Sequence, residues 1–184
     1  MFRMLEQFVT AFAQGAKAIR LGDGFDPETK MGPLANARRL AAMEHLIADA
    51  LARGGKLETG GYRIEGEGFF WAPTVLTNVP EDAEIMNREP FGPVATISRF
   101  EKLENAIDKA NRLPFGLGAY AFPRSQARAN LLADCIESGM VGINTYYFGM
   151  PEGPFGSVKQ SGYGSENGIE GISAYLLTKF VHMV

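Results

Sequence analysis

Hydrophobic positions recur at helical spacing at the head of the chain: Leu5, Phe8, Val9, Phe12, Ala16 and Ile19 predict an amphipathic helix over residues 3–20. Gly22, Gly24, Pro27, Gly32 and Pro33 then mark a loop over 21–33. Asn36 is placed to cap a second helix whose apolar face is Leu40, Met43, Leu46, Ile47, Ala50 and Leu51, and Gly54-Gly55 ends it. Residues 56–59 and 70–79 read as short strands. Pro73 points to an edge or a bulge in the second, because proline cannot donate to a strand ladder. Residues 94–100 predict a further strand feeding a helix that carries Leu103, Ala106, Ile107 and Ala110. Residues 118–122 read as a strand, Ser125 as the cap of a helix running to about 138, and 140–144 as an apolar strand. That strand–helix–strand–helix–strand order predicts a parallel sheet with helices packed on its faces. A glycine-rich loop follows from Thr145, and 173–184 reads as a closing strand. A doubly wound domain rarely opens on a helix with no strand before it, so the chain reads as starting within a unit.

Composition narrows the class. The 184 residues are enough for one domain with a real core, and 46% hydrophobic with 21% charged residues suits a soluble globular α/β chain. A net charge of −3 without a Lys/Arg run argues against nucleic acid or an anionic membrane as the main partner. No apolar stretch is long enough to span a bilayer, and the first residues lack a signal-type apolar block. A single cysteine forms no internal disulfide, which points to a reducing cytoplasm.

Taken by type and spacing, the candidate residues say little. Glu89, before a Pro-Phe-Gly-Pro turn, reads as a solvated loop carboxylate, and Phe148 and Phe155 as aromatics packing a Gly-Pro loop. Gly162-x-Gly164-x-x-x-Gly168 has one residue too many for a dinucleotide fingerprint. Asp23, Asp26 and Glu28 break the order of a calcium loop, and His45 and His182 are isolated, so no metal site is expected. Cys135 falls on the apolar face of the helix after Ser125 with Leu131 and Leu132, where a free thiol is a small buried hydrophobe.

Two longer stretches say more. Glu89-Pro90-Phe91-Gly92-Pro93-Val94, followed by Pro154-Phe155-Gly156-Ser157-Val158-Lys159-Gln160-Ser161-Gly162-Tyr163-Gly164, resembles the C-terminal part of an NAD(P)-dependent aldehyde dehydrogenase. The resemblance runs from the first helix through Gly32-Pro33-Leu34 to Thr178-Lys179-Phe180-Val181. It implies a three-layer α/β fold over residues 1–171, with a mostly parallel sheet and helices on both faces, and a C-terminal oligomerisation strand over 172–184. It also implies that Glu89 accepts hydrogen bonds from the nicotinamide ribose hydroxyls, a task suited to an acceptor-only carboxylate, and that Phe91 flanks the nicotinamide. Gly92 and Pro93 would set the turn that holds both. Phe148 and Phe155 would line the aldehyde tunnel, whose apolar walls exclude water from a thioester. Arg38 and Arg39 would lie near the adenosine side of the cofactor, although a solvated helix face explains them equally. Residues 160–164 and 175–181 look most like the succinate-semialdehyde dehydrogenase subgroup. Gly149, however, stands where those relatives carry a serine for the distal carboxylate, and Ser157 replaces the family's usual glycine.

The implied chemistry is thiolate attack on an aldehyde, hydride transfer to NAD or NADP, and hydrolysis of the thioester. The family's nucleophile sits in a Gly-Gln-x-Cys context ahead of the point where this chain begins, as do its general-base glutamate, its oxyanion asparagine and its cofactor domain. No catalytic residue is therefore expected here. The isolated chain is expected to be inactive and to bind NAD or NADP weakly or not at all. Two readings follow. The chain is a piece of a working aldehyde dehydrogenase, whether engineered, proteolytic or one half of a split enzyme; or it is a stand-alone, non-catalytic, self-associating module from a truncated gene. The expected partners are a small aldehyde in the full-length enzyme and further copies of the chain, at least a dimer, with no nucleic acid and no membrane.

Overall fold

The computed structural model describes residues 2–147 and 149–184, apart from the side chains of Phe2 and Arg3. The chain divides into two compact units, Met1–Arg99 and Phe100–Val184.

In the first unit, α1 (Phe2–Lys17) packs on the strands that follow α2. Its half-buried positions Leu5, Val9, Ala13 and Ala16 share one side of the helix, while Phe8 and Phe12 stack on each other at 5.7 Å and stay exposed. α2 (Ala37–Ala52) starts where the sequence predicts: Asn36 Oδ1 accepts from the Arg39 N–H at 3.3 Å. Leu40, Met43, Leu46, Ile47 and Ala50 are buried as a stripe, Leu51 is exposed, and Gly54, at φ 98°, turns the chain away. Trp71, Leu76, Val79, Ala83 and Ile85 complete this core.

The sheet of this unit is β1 (Lys56–Thr59), β2 (Thr74–Thr77) and β3 (Val94–Ile97), with β2 in the middle, antiparallel to β1 and parallel to β3. This corrects the reading of Pro73. The second strand is central rather than an edge, and the irregularity lies in β1, where the register shifts between Leu57 and Thr59. Pro73 escapes the ladder because the strand starts one residue later, so its missing N–H disrupts nothing. All four residues of β2 are buried. Thr74 Oγ1 accepts from Trp71 Nε1 (3.0 Å) and Gly61 N (2.9 Å) and donates to Ala72 O (2.7 Å), so this buried hydroxyl is fully used.

A 3-10 turn, Glu84–Met86, is fastened to α2 by carboxylates. Asp49 accepts from Arg53 Nε at 2.7 Å and from the Glu84 N–H at 2.8 Å, and Arg53 also reaches Asp82 at 2.9 Å. Glu84 in turn meets His45 and Arg88, each at 3.0 Å. The Arg53 hydrogen bond, then the Glu84 N–H, hold the Asp49 carboxyl below its ordinary range. His45 and then Arg88 lower that of Glu84, and the Thr77 hydroxyl followed by Lys56 lowers that of Glu58.

The second unit contains α3 (Leu103–Asn111), β4 (Phe115–Gly116), β5 (Gly118–Ala121), α4 (Gln126–Cys135), β6 (Met140–Ile143), β7 (Phe155–Gly156), β8 (Val158–Lys159) and β9 (Ser165–Glu166). β5 and β6 pair in parallel from Gly118↔Met140 to Ala121↔Ile143, with β4–β8 and β7–β9 antiparallel. The architecture is α/β with mixed sheets. Ser125 Oγ caps α4 by accepting from the Arg128 N–H at 3.3 Å. The helix stops at Cys135 rather than near 138: Ile136 turns extended (φ −80°, ψ 120°), and the Asn111 amide binds Cys135 O and Glu137 N. Lys159 Nζ donates to Asn111 O (2.8 Å) and Leu113 O (3.2 Å) and pairs with Glu137 at 2.6 Å. Among the described residues of this unit, Ala129 and Met140 are the only hydrophobic side chains that are fully buried.

The predicted closing strand is not formed. A 3-10 segment, Glu170–Tyr175, is followed by 176–184 with no strand pairing among the described residues, and Leu177 is 98% and Phe180 87% exposed. A strand needs a neighbouring edge for its N–H and C=O groups, and none of the described strands pairs with this segment.

Candidate functional site

The turn 89–93 leads directly into β3, so the sheet fixes its exit. Thr74 N donates to Pro93 O at 2.8 Å, and Val94 N closes a tight turn onto Gly92 O at 2.8 Å. Its entry is fixed by α2: Gly92 lies against the Met43 side chain, where a β-carbon would overlap the sulfur. Between these anchors Phe91 adopts φ 46°, a conformation that non-glycine residues adopt rarely, and its ring is 67% exposed. A large apolar side chain held outward by a strained turn is poorly explained by core packing. Glu89 is exposed beside it and accepts no hydrogen bond from a described residue. Arg88 is occupied with Glu84. The carboxylate is thus available to an outside donor.

Phe91 also lines a cavity of about 460 Å³ with Ala35, Asn36, Arg38 and Arg39, so the first turn of α2 and the 89–93 turn share one concavity. The sequence separates these two pieces by 50 residues and leaves the arginines between a solvated helix face and the adenosine side of the cofactor; in the structure Gly92 lies against Met43 of the same helix.

The other two predicted residues belong to the second unit. Phe155 opens β7, whose partner β9 places Glu166 opposite it, and its ring is 38% exposed. Phe148 lies outside the described residues. The loop between β6 and β7 is shaped by Asn144 (φ 55°), whose amide donates to Pro123 O at 3.2 Å, and by the Tyr147 hydroxyl, which donates to Gly149 O at 2.7 Å. At its start Tyr146 packs against Phe122 (4.7 Å) and Tyr120 (5.6 Å), an exposed aromatic cluster that sequence reasoning missed. Its signal is present: Tyr120 and Phe122 are two apart in the strand predicted over 118–122 and so fall on one face of it.

Cys135 sits at the C-terminus of α4, half-buried rather than fully buried, with its carbonyl bound by Asn111. Among the described residues no three His, Cys, Asp or Glu side chains could hold a metal ion.

The description "Aldehyde dehydrogenase family" matches residues 2–181. A 4-(hydroxymethyl)benzenesulfonate dehydrogenase of Comamonas testosteroni is 44% identical over 182 residues, covering 99% of this chain and 38% of that protein. The mitochondrial succinate-semialdehyde dehydrogenase of Rattus norvegicus is 41% identical over 177 residues, covering 96% of this chain and 34% of the relative. A betaine aldehyde dehydrogenase double mutant from Staphylococcus aureus, solved in complex with NAD+, superposes with a TM-score of 0.89 at 35% identity, covering 96% of this chain and 37% of that one. The chain thus spans less than two-fifths of the length of these relatives. With nearly all of its residues matched in sequence and in structure, the chain belongs to the aldehyde dehydrogenase family.

Proposed function

We propose that this chain forms the nicotinamide-facing and tunnel-lining part of an NAD(P)-dependent aldehyde dehydrogenase that oxidises a small aldehyde to the carboxylic acid through a cysteine thioester. The observation that carries the reading is the 89–93 turn: an unpaired carboxylate and an outward aromatic, on a strained turn that leads into β3 and packs Gly92 against Met43 of α2. A nicotinamide dinucleotide fits these groups. Glu89 would accept from the two ribose hydroxyls and Phe91 would cover one face of the nicotinamide. The dinucleotide, when bound, accepts the hydride. The chain's own residues orient it and, through Phe148 and Phe155, keep the aldehyde path apolar. The nucleophile is not among them, since the one cysteine, Cys135, ends a packed helix outside the Gly-Gln-x-Cys context of the family's nucleophile. A reducing cytoplasm suits a protein with that single thiol.

The test is a segment exchange. This chain would replace the matching part of a succinate-semialdehyde dehydrogenase, and NAD(P)-dependent aldehyde oxidation would be measured with a panel of small aldehydes. Turnover is expected, with Glu89→Gln raising the dinucleotide KM about tenfold or more, the worth of a charge-assisted hydrogen bond. A folded chimera with no turnover, or Glu89→Gln and Phe91→Ala variants that bind the dinucleotide normally, would refute the assignment.

The second reading, a non-catalytic self-associating module, draws on the exposed apolar tail over 172–184, which we assign to contacts between copies. Intact mass of the protein from its native cells separates the two readings. A longer polypeptide favours the enzyme; a 20.0 kDa species that purifies without a second, complementing chain favours the module.

A further inference from the structure

Asn167 is the only one of the eight asparagines that precedes a glycine; the other seven precede Ala, Val, Arg, Leu or Thr. The order matters chemically. The side-chain carbon of an asparagine is open to attack by the backbone nitrogen of the next residue. A following side chain hinders that approach, whereas glycine leaves it clear. Asn167 and Gly168 come directly after β9 with φ 58° and 57°, two left-handed residues in succession, and Asn167 is exposed. Its side chain makes no hydrogen bond among the described residues. Asn87, Asn111 and Asn144 donate through their amides, and Asn36 and Asn130 accept through theirs.

One contact restrains the attacking nitrogen: the Gly168 N–H donates to Pro151 O at 2.9 Å. The loop over 151–154 is seated on this glycine, where a β-carbon would lie 3.1 Å from Pro154 N and 3.4 Å from Gly153 C. No residue of 151–155 is buried, so the loop lifts at a small free-energy cost and releases the nitrogen. The same loop leads into Phe155, whose strand partner is Glu166, next to Asn167.

We propose that Asn167 is a self-modification site, converted in water to aspartate and isoaspartate. The Gly168 nitrogen bonds to Asn167 Cγ, the side-chain nitrogen leaves as ammonia with the Gly168 amide proton, and a cyclic succinimide closes. Water then adds to either succinimide carbonyl and breaks its C–N bond, giving aspartate or isoaspartate. No oxidant, metal or cofactor enters the balance. Isoaspartate carries the main chain through the side-chain carbon, which lengthens it by a methylene. The Asn167 carbonyl that accepts from the Gly171 N–H at 3.0 Å then becomes a free carboxylate off the main chain. Either product adds a negative charge close to Glu166 and Glu170. The seat of the 151–154 loop goes with it, and the approach to Phe155 is loosened.

The test ages the full chain in neutral buffer at physiological temperature, beside Asn167→Gly and beside the parent in urea. Asn167→Gly suits the left-handed backbone and removes the amide. Trypsin releases residues 160–179, in which Asn167 is the only asparagine. Fragmentation is expected to place the mass gain of an NH2-to-OH exchange at residue 167 before any other asparagine, and none in Asn167→Gly. Urea should speed the conversion severalfold, because the bond to Pro151 is gone. Hydrogen exchange over 150–156 should quicken in the aged parent and stay unchanged in aged Asn167→Gly. Another asparagine modified first, or a 160–179 peptide that converts in urea but never in buffer, overturns the proposal. Equal rates in urea and buffer overturn the restraint by Pro151, and conversion without faster exchange overturns the link to the loop before Phe155.

Discussion

Gly92 approaches the sulfur of Met43 so closely that no side chain fits between them, and Met43 is fully buried on α2. The turn bearing Glu89 and Phe91 is therefore positioned by the core. Gly92→Ala should destabilise the chain by about 1–3 kcal/mol as an overpacking change, while Met43→Ala alone should cost about 2–5 kcal/mol through its cavity. The double variant should be more stable than the sum of the two, because the new methyl fills part of the vacated space. Urea denaturation of the three variants measures this, and strict additivity would show that the two residues do not touch.

The isolated chain is expected to reduce neither NAD nor NADP with any short aldehyde. Cys135 is a half-buried cysteine at a helix end, and its backbone carbonyl accepts from the Asn111 amide. The assay is run beside Cys135→Ser. Turnover that is present in the parent and lost in the variant would make Cys135 a nucleophile and overturn this account.

Acid should loosen the junction of α2 with the 84–86 turn. Asp49, Glu58 and Glu84 have carboxyl pKa values lowered by their partners in the folded chain. Their stabilisation is present above the ordinary carboxylate pKa and is lost as pH falls through the lowered folded values. Thermal melts between pH 6 and 2 should show Tm dropping mainly below about pH 4. Asp49→Asn should flatten that drop while lowering Tm at neutral pH. An unchanged acid profile in this variant would exclude Asp49 as a contributor.

The tail gives a separate expectation. Tyr175, Leu176, Leu177, Phe180 and Val181 are exposed, with Lys179 the only charge among residues 175–181 to discourage pairing. Light scattering should report at least a dimer for the full chain and a smaller species when it ends at Gly171. A clean monomer at tens of micromolar, or an oligomer indifferent to the truncation, would refute tail-mediated association.

Local order was well written in the sequence. Asn36 and Ser125 cap the helices they were read to cap, and the apolar stripe of α2 is the buried one, because capping and helical period depend on neighbours a few residues away. What depends on distant pairing was not. Pro73 was misplaced because only the register of β2 between β1 and β3 shows that the proline lies outside the ladder. The tail reads as a closing strand, yet strand formation depends on an edge that its own residues cannot supply. At the site, Glu89 and Phe91 were legible only as members of a longer motif. That Arg38, Arg39 and Phe91 line one cavity is not legible from spacing, since the Gly92–Met43 contact brings the 89–93 turn against α2; only the resemblance hints at it.

The unequal burial of the two units has a consequence for how the chain comes off the ribosome. The core of the first unit is complete within residues 34–94, whereas the second unit buries only Ala129 and Met140 among its described hydrophobic side chains. During translation the first unit can therefore close before the second is made, and the second stays open to whatever surface later covers it. Native-state hydrogen exchange should record the same order. The slowest amides would lie in α2 and β2, and 100–184 would exchange through openings that leave the first unit intact.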